Sequence, residues 1–583
     1  MERTNRNYAF VVPLVRALAE LGLRHVWIAP GSRNTPLSLS FAAHDRVSDW
    51  SHHDERSAAF FALGMAKATG VPAAVVSTSG TAAAELFPAV VEARYGRVPL
   101  LVLTADRPAQ LRDVGAPQTI DQQKLYGDAV KWSHDVSIPP PTAEMVRYVA
   151  ALAGRAWAAA LDDPPGPVHI NLRFEEPLVP DLVPGEVPAG LPAVQPPSFV
   201  PGRVQAAEDQ IARVASVLSA RRTLIVCGPQ DDPAVPPAIT QLAAAGRFPV
   251  IADPFSQVRT GTHDLSHVIG TGDPLVRAGL LDRHSPEAVV RIGAIPTSKP
   301  ITQWLAAHRE VLQVLIDTAE WRDPGASAAV VLRADPAEAA ASLAKALGVG
   351  APPSWIESWR AADAAAGTAL RRALERTPFP SEPGVVGVLT ASLPAGAKLW
   401  VGSSMPVRDV DAFFPAVDRP IRFLANRGAS GIDGLISSGL GAALADPAPT
   451  YLLAGDLSAL HDLTALGAAA RYQIPATVVV VNNDGGGIFH FLPHARFPEY
   501  FERHFATPHG LDFVQAAETF GVPGTRADTT EELAAAVAAP PEGPTLVEVR
   551  TDRHDNVAVH DDAQRAVVEA LESLAAGAQA GSV

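Results

Sequence analysis

Asp456 and Asn483 stand 27 residues apart, each closing a β-branched apolar run, TYLLAGD (450–456) and ATVVVVNN (476–483). The Ala-rich stretch between them reads as a helix of about a dozen residues beginning near Ser458. A strand–helix–strand unit of this length is a right-handed crossover, which sets two strand ends side by side. The Asp456 carboxylate, the Asn483 amide oxygen and a carbonyl in the glycine turn, at Gly485, then offer three hard oxygen ligands. Mg²⁺ takes six such oxygens and draws the rest from phosphates and water. N–H groups of a helix opening near Ser458 point at the same phosphates. Glycines 485–487 allow close backbone approach. Either half alone is more simply a helix-capping Asp or an Asn-Asp-Gly turn. The pairing at this spacing is what suggests a metal–diphosphate site.

A second carboxylate, Glu55, precedes an apolar helix in SHHDERSAAFFALGMAKATG (51–70). Alone it is an ordinary acid of a first helical turn. His52, His53, His490 and His494 show no metal-ligand spacing and are read as structural.

These residues need a scaffold of buried strands. HVWIAPG (25–31), AAVVSTSG (73–80) and PLLVLTAD (99–106) are near-continuous apolar runs ending in small or polar residues. RTLIVCG (222–228), FPVIAD (248–253) and VVRIGA (289–294) repeat the pattern, as do KLWVGSS (398–404) and the two runs above. Separated by helical stretches, they predict an α/β protein of doubly wound parallel sheets covered on both faces. Ligands in such sheets gather at the carboxyl ends of strands. Pro-dense composition and a weaker break near GAPPSW divide the chain into 1–180, a linker at 181–203, a central unit at 204–350, a linker at 351–384, and 385–583. The stretch 77–106 can be laid over 453–483, with Pro99 on Pro475 and Asp106 on Asn482, which suggests a duplication. The tail beyond 570 is expected to be frayed.

Composition narrows the class. The 583 residues are 47% hydrophobic and 19% charged, enough for several cores and too apolar for a disordered chain. A net charge of −15 without a basic run argues against a nucleic-acid binder. One cysteine, Cys227, excludes an internal disulfide framework and fits a reducing compartment. The N-terminus does not read as a secretory signal, and no apolar run approaches the ~20 residues of a membrane span. A cytoplasmic location is expected.

The runs APGSRNTPL (29–37), HHDERSAAF (52–60), TSGTAAAELFPAVVEA (78–93), TADRP (104–108), GAPQTIDQ (115–122), TSKP (297–300), NRGASGIDG (426–434), GDLSALHDL (455–463) and NNDGGGIF (482–489) together resemble the 2-succinyl-5-enolpyruvyl-6-hydroxy-3-cyclohexene-1-carboxylate synthase family. These are thiamine diphosphate enzymes of menaquinone biosynthesis. Leu457 replaces the glycine of the general cofactor signature, and in this family leucine is usual. The resemblance implies three domains of the thiamine diphosphate enzyme type: pyrimidine-binding, central and diphosphate-binding. It implies thiamine diphosphate with Mg²⁺ (or Mn²⁺) on Asp456, Asn483 and Gly485, and Glu55 as the carboxylate that activates the cofactor. Gly80, Thr81, Ile432, Asp456, Leu457, Ser458, Asn483, Gly487, Ile488 and Phe489 would line the cofactor. The implied reaction decarboxylates 2-oxoglutarate and adds the resulting succinyl carbanion equivalent to isochorismate. Both substrates are dicarboxylates, so their sites must be locally basic, with arginine favoured for two-point carboxylate binding. Arg33, Arg107, Arg408, Arg427 and Lys299 are the cations at family positions, with Ser32 and Gln118 adding hydrogen bonds and Ser404, Ile488, Phe489 and Leu492 forming the pocket wall. Any one arginine taken alone is more simply a surface ion pair. A homodimer or a dimer of dimers follows, because the family sets Glu55 and the diphosphate site on different subunits.

Three rivals are weaker. An acetolactate-synthase-like or decarboxylase activity leaves the basic cluster unexplained. A silent cofactor binder should have lost Glu55, Asp456 or Asn483. A dinucleotide binder lacks a fingerprint in the central unit.

Overall fold

The computed structural model describes residues 5–180, 183–186 and 190–580. Parts of the Pro-dense stretch 181–203 therefore lie outside the described residues. Three six-stranded sheets follow one another along the chain, and every pairing in them is parallel. The first comprises β1 (His25–Ile28), β2 (Ser48–Ser51), β3 (Ala73–Ser77), β4 (Leu100–Asp106), β5 (Trp132–Ser137) and β6 (Pro167–Arg173), in the order β2-β1-β3-β4-β6-β5. The second comprises β7 (Thr223–Cys227), β8 (Val250–Ala252), β9 (Val268–Ile269), β10 (Ala288–Ile292), β11 (Leu312–Asp317) and β12 (Val330–Arg333), ordered β12-β11-β10-β7-β8-β9. The third comprises β13 (Lys398–Val401), β14 (Arg422–Leu424), β15 (Thr450–Gly455), β16 (Ala476–Asn482), β17 (Gly524–Arg526) and β18 (Pro544–Arg550), ordered β14-β13-β15-β16-β18-β17.

The first and third sheets thus share one strand order. The duplicated stretches fall on equivalent strands, β3–β4 and β15–β16. Central strands such as β4 and β16 are buried along their whole length, as apolar runs covered on both faces should be.

Helices lock the sheets together. The helix Glu55–Thr69 crosses Leu435–Ala445 of the third unit so closely that a Cβ on Gly64 would lie 1.8 Å from the Ser438 carbonyl oxygen. Gly441 meets Phe61 in the same way, at 2.1 Å. Arg259, fully buried, ties the second unit to the third: Nη2 is 2.8 Å from Asp411 Oδ1, and further N–H groups donate to the carbonyls of Ala252, Asp411 and Phe414.

Two local expectations are corrected. The stretch after Asp456 is two short helices, Asp456–His461 and Ala465–Tyr472, instead of one of a dozen residues starting near Ser458. The tail continues as helix to Ala580, consistent with its Ala, Leu, Glu and Gln content. That last helix, Arg553–Ala580, packs along Pro353–Arg376 and buries Ala563, Val567 and Leu571.

Candidate active site

In the first sheet β1 and β3 are neighbours, while the chain from β1 runs first to β2 on the other side. Such a switch point opens a crevice at the strand ends. Ser32 and Arg33 follow β1, and Gly80 and Thr81 follow β3. The third sheet repeats the geometry: Ser404 and Arg408 follow β13, and Asp456, Leu457 and Ser458 follow β15. Asn483, Gly485 and Gly487 follow the next strand, β16.

Asp456 is the hub of the glycine turn. Its Oδ1 accepts from Leu457 N at 2.6 Å, and its Oδ2 from Gly485 N at 2.8 Å and Asn483 N at 3.1 Å. His509 Nε2 lies 3.3 Å from the same Oδ2. The ring's Nδ1 accepts from Leu511 N, so Nε2 carries the proton that faces Asp456. Burial pushes the Asp456 pKa upward against these contacts, the situation a bound cation would reverse. Asn483 turns its Nδ2 to Glu382 Oε1 at 2.7 Å, leaving Oδ1 buried without a hydrogen-bond partner. The Gly485 carbonyl already accepts from Gly487 N at 2.9 Å, which leaves its second lone pair. A Cβ on Gly487 would come within 2.5 Å of the Asn483 amide nitrogen, so a larger residue there would displace that side chain. Carboxylate, orphaned amide oxygen and carbonyl form an all-oxygen set that suits Mg²⁺ or Mn²⁺.

Behind this corner, Glu382 and Asp409 are buried, and His560 Nε2 lies 2.8 Å from Asp409 Oδ1. Burial, with the Asp409 charge next, pushes the Glu382 pKa up to about 8.

The cations fall into two sets. Arg33 is buried after β1, donating to the Phe174 carbonyl at 3.1 Å and pairing with Glu176 at 3.2 Å. Burial and the neighbouring Arg107 both lower its pKa, against Glu176 and Asp106. Gln118, at φ +55°, exchanges hydrogen bonds with Ser79, while Gln122 accepts from Gly80 N at 3.0 Å. Arg408 belongs to the second set, where desolvation and Arg427 lower its pKa and Arg277 and Asp273 stand close by. Ser298 caps the helix that Lys299 opens and donates to Asp273 at 2.6 Å, while the Lys299 side chain is exposed and makes no ion pair among the described residues. Among the described residues no hydrogen bond or ion pair joins the two sets.

Backbone shape is unusual where these sets meet the sheets. Ser404 holds φ +75°, ψ −127°, a conformation open to glycine almost alone, and Gly80 has nearly the same angles. Arg427 and the half-buried Ile432 sit on the loop 426–434. Glu92 anchors that loop, its carboxylate accepting from Gly428 N and Ala429 N, each at 2.7 Å. Ile488, Phe489 and Leu492 are half-buried on and just after the 3₁₀ turn Gly487–Phe491, where Phe489 packs on Phe505. His490 on the same turn was not expected to have metal-type neighbours. Its ring nitrogen and ligand atoms of Glu502 and His554 lie within 4.8 Å of one another, although Arg553 pairs with Glu502.

Glu55 is placed differently. Asp54, not Glu55, caps its helix, accepting from Ser57 N at 3.1 Å. Glu55 makes no hydrogen bond or ion pair among the described residues. Its helix abuts the far end of Asp456–His461, through Arg56 to the His461 carbonyl and Ser57 to the buried Asp462. In one chain Glu55 and Asp456 therefore stand toward opposite ends of a six-residue helix about 9 Å long.

Residues 12–125 match the family described as thiamine pyrophosphate enzyme, N-terminal TPP binding domain, and 409–549 its C-terminal TPP binding domain. A 2-succinyl-5-enolpyruvyl-6-hydroxy-3-cyclohexene-1-carboxylate synthase of Geobacillus thermodenitrificans is 44% identical over 96% of both chains. Those of Chloroflexus aurantiacus and Haloarcula marismortui are 44% and 41% identical, covering 94% and 98% of this chain and 94% and 100% of their own. The chain belongs to this synthase family. It is a thiamine diphosphate enzyme, and the three parallel sheets are the family's three-domain architecture. Glu382 and His509 lie outside the quoted motifs, whereas Gln122 and Glu92 lie inside two of them without having been given a role. Each acts on a partner far along the chain, such as the 101 residues from Glu382 to Asn483.

Proposed function

We propose that this synthase decarboxylates 2-oxoglutarate and adds its succinyl unit to isochorismate, acting in the cytoplasm as a homodimer or a dimer of dimers. The observation that carries the site assignment is the orphaned Asn483 Oδ1 beside Asp456 and Gly485. These three residues would hold Mg²⁺ or Mn²⁺, with Leu457, Ser458 and Gly487 beside the diphosphate. Bound thiamine diphosphate supplies the electron sink for loss of CO₂ and for the new carbon–carbon bond. Glu55 would hold a proton-bearing contact to the aminopyrimidine of a cofactor seated mainly on a second chain; its lack of a partner among the described residues of its own chain supports this. Gly80, Thr81 and Ile432 would line that ring. Ser32, Arg33, Arg107 and Gln118 would take carboxylates on one side, and Lys299, Ser404, Arg408 and Arg427 on the other. Ile488, Phe489 and Leu492 would keep water from the reacting carbon. The proposed unit boundaries are 1–180, 204–350 and 385–583. No helix among the described residues is long and apolar enough to cross a membrane.

Isochorismate consumption should require 2-oxoglutarate, thiamine diphosphate and Mg²⁺ together, and pyruvate should not replace 2-oxoglutarate. Glu55→Gln should lower kcat by about 10²–10⁴-fold while cofactor still binds. Equal turnover with pyruvate would defeat the assignment of the arginines to a dicarboxylate.

A further inference from the structure

We propose that Glu382 is a positioning residue for the metal site, fixing which end of the Asn483 side chain is offered to the ion. The inference rests on the metal assignment above and extends it to a residue outside the ligand set.

A side-chain amide has two ends of nearly equal size and opposite use: an oxygen that ligates a cation and an NH₂ that repels one. A ligand asparagine therefore needs something to hold its NH₂ away from the ion. Among the described residues no backbone carbonyl accepts from the Asn483 NH₂. The Glu382 carboxylate does. It lies 2.7 Å from Asn483 Nδ2, and this is the hydrogen bond by which Asn483 is oriented, with Oδ1 left buried and free. Glu382 is itself held in place. It is 3% exposed at the first position of the helix Glu382–Ser392, whose start is capped by Ser381 accepting from Gly384 N. Among the described residues, no Arg or Lys pairs with this carboxylate, and the Asn483 amide is its recorded donor. Groups behind metal ligands orient the ligands in this way, and their loss weakens metal binding by about 10–100-fold.

The test is Mn²⁺ titrated into metal-free protein with thiamine diphosphate, with free Mn²⁺ followed by electron paramagnetic resonance. Glu382→Leu, close in size but without an acceptor, should weaken Mn²⁺ binding by about 10–100-fold. Glu382→Gln keeps an acceptor oxygen and should bind close to wild type. Asn483→Asp alone removes the NH₂ donor that Glu382 accepts from and should bind poorly. Adding Glu382→Gln to it restores a donor–acceptor pair and should recover affinity. Unchanged affinity in Glu382→Leu would overturn the inference. If that variant does not fold, the swap decides: a double variant no better than Asn483→Asp overturns it equally. A wild type that does not take up Mn²⁺ would instead remove the metal assignment on which the inference stands.

Discussion

His560 has oxygen against both ring nitrogens: the Asn556 carbonyl at 2.9 Å from Nδ1 and Asp409 Oδ1 at 2.8 Å from Nε2. Two such contacts require two ring protons. Burial opposes that charge, but the Asp409 hydrogen bond and charge outweigh it, with Asn556 and Glu382 helping, so the pKa stands above its ordinary value. The rings of Phe413 and Phe491 complete its surroundings. A raised histidine adds stability that is complete below about pH 6.5, its unfolded value, and is lost as pH rises through the folded value. His560→Gln should therefore lower Tm at pH 6 and converge on wild type as the pH climbs toward 9. A pH-independent deficit would show that the imidazolium contributes nothing. Residues of this kind mark the limit of the sequence. Asp456 and Asn483 were readable as a pair because strand ends of one crossover unit lie side by side, whereas the arginines were singled out only by their family positions. His560 and Glu382 were not, because a lone histidine or an acid before proline has meaning only once distant helices meet.

Among the elements, the two glycines at the crossing of Glu55–Thr69 and Leu435–Ala445 set how closely the first and third units approach. Gly64→Val would drive its Cβ into the Ser438 carbonyl, and overpacking of this kind costs about 1–3 kcal/mol or more. Urea unfolding should show this as a lower midpoint at unchanged slope. Gly577→Ala, in the last helix with open space around it, should gain up to about 1 kcal/mol in the same assay. Central strands such as β4, β7 and β16 were plain in the sequence because burial on both faces makes them continuously apolar. Edge strands such as β2 (SDWS) and β17 (GTR) carry little such burial, and nothing in their composition separates them from loops. The run of residues after Asp456 misled for a different reason. Asp462 breaks the helix to accept from Ser437 and Ser57, a tertiary demand that overrides local propensity.

At the scale of the whole molecule, the three units share buried polar contacts as well as apolar ones. Arg259 is the clearest, and Arg259→Met leaves the buried Asp411 and the carbonyls of Ala252 and Phe414 without their donor. Such a break costs about 3–5 kcal/mol. Chemical denaturation should show that loss, and Asp411→Leu added to it should recover much of it; a neutral Arg259→Met would mean the pair contributes only register. The helix Arg553–Ala580 has another kind of consequence. It lies along Pro353–Arg376, and its Gln564 reaches back to the Pro274 carbonyl at 3.1 Å. A ribosome extends the chain at about 5–20 residues per second, so the middle of this protein emerges well before the helix that covers it. A nascent chain halted before residue 553 would carry the helix Pro353–Arg376 still missing its cover. Vectorial synthesis thus finishes the centre of the molecule last, and late truncations should be cleared by proteases far more readily than their small size suggests.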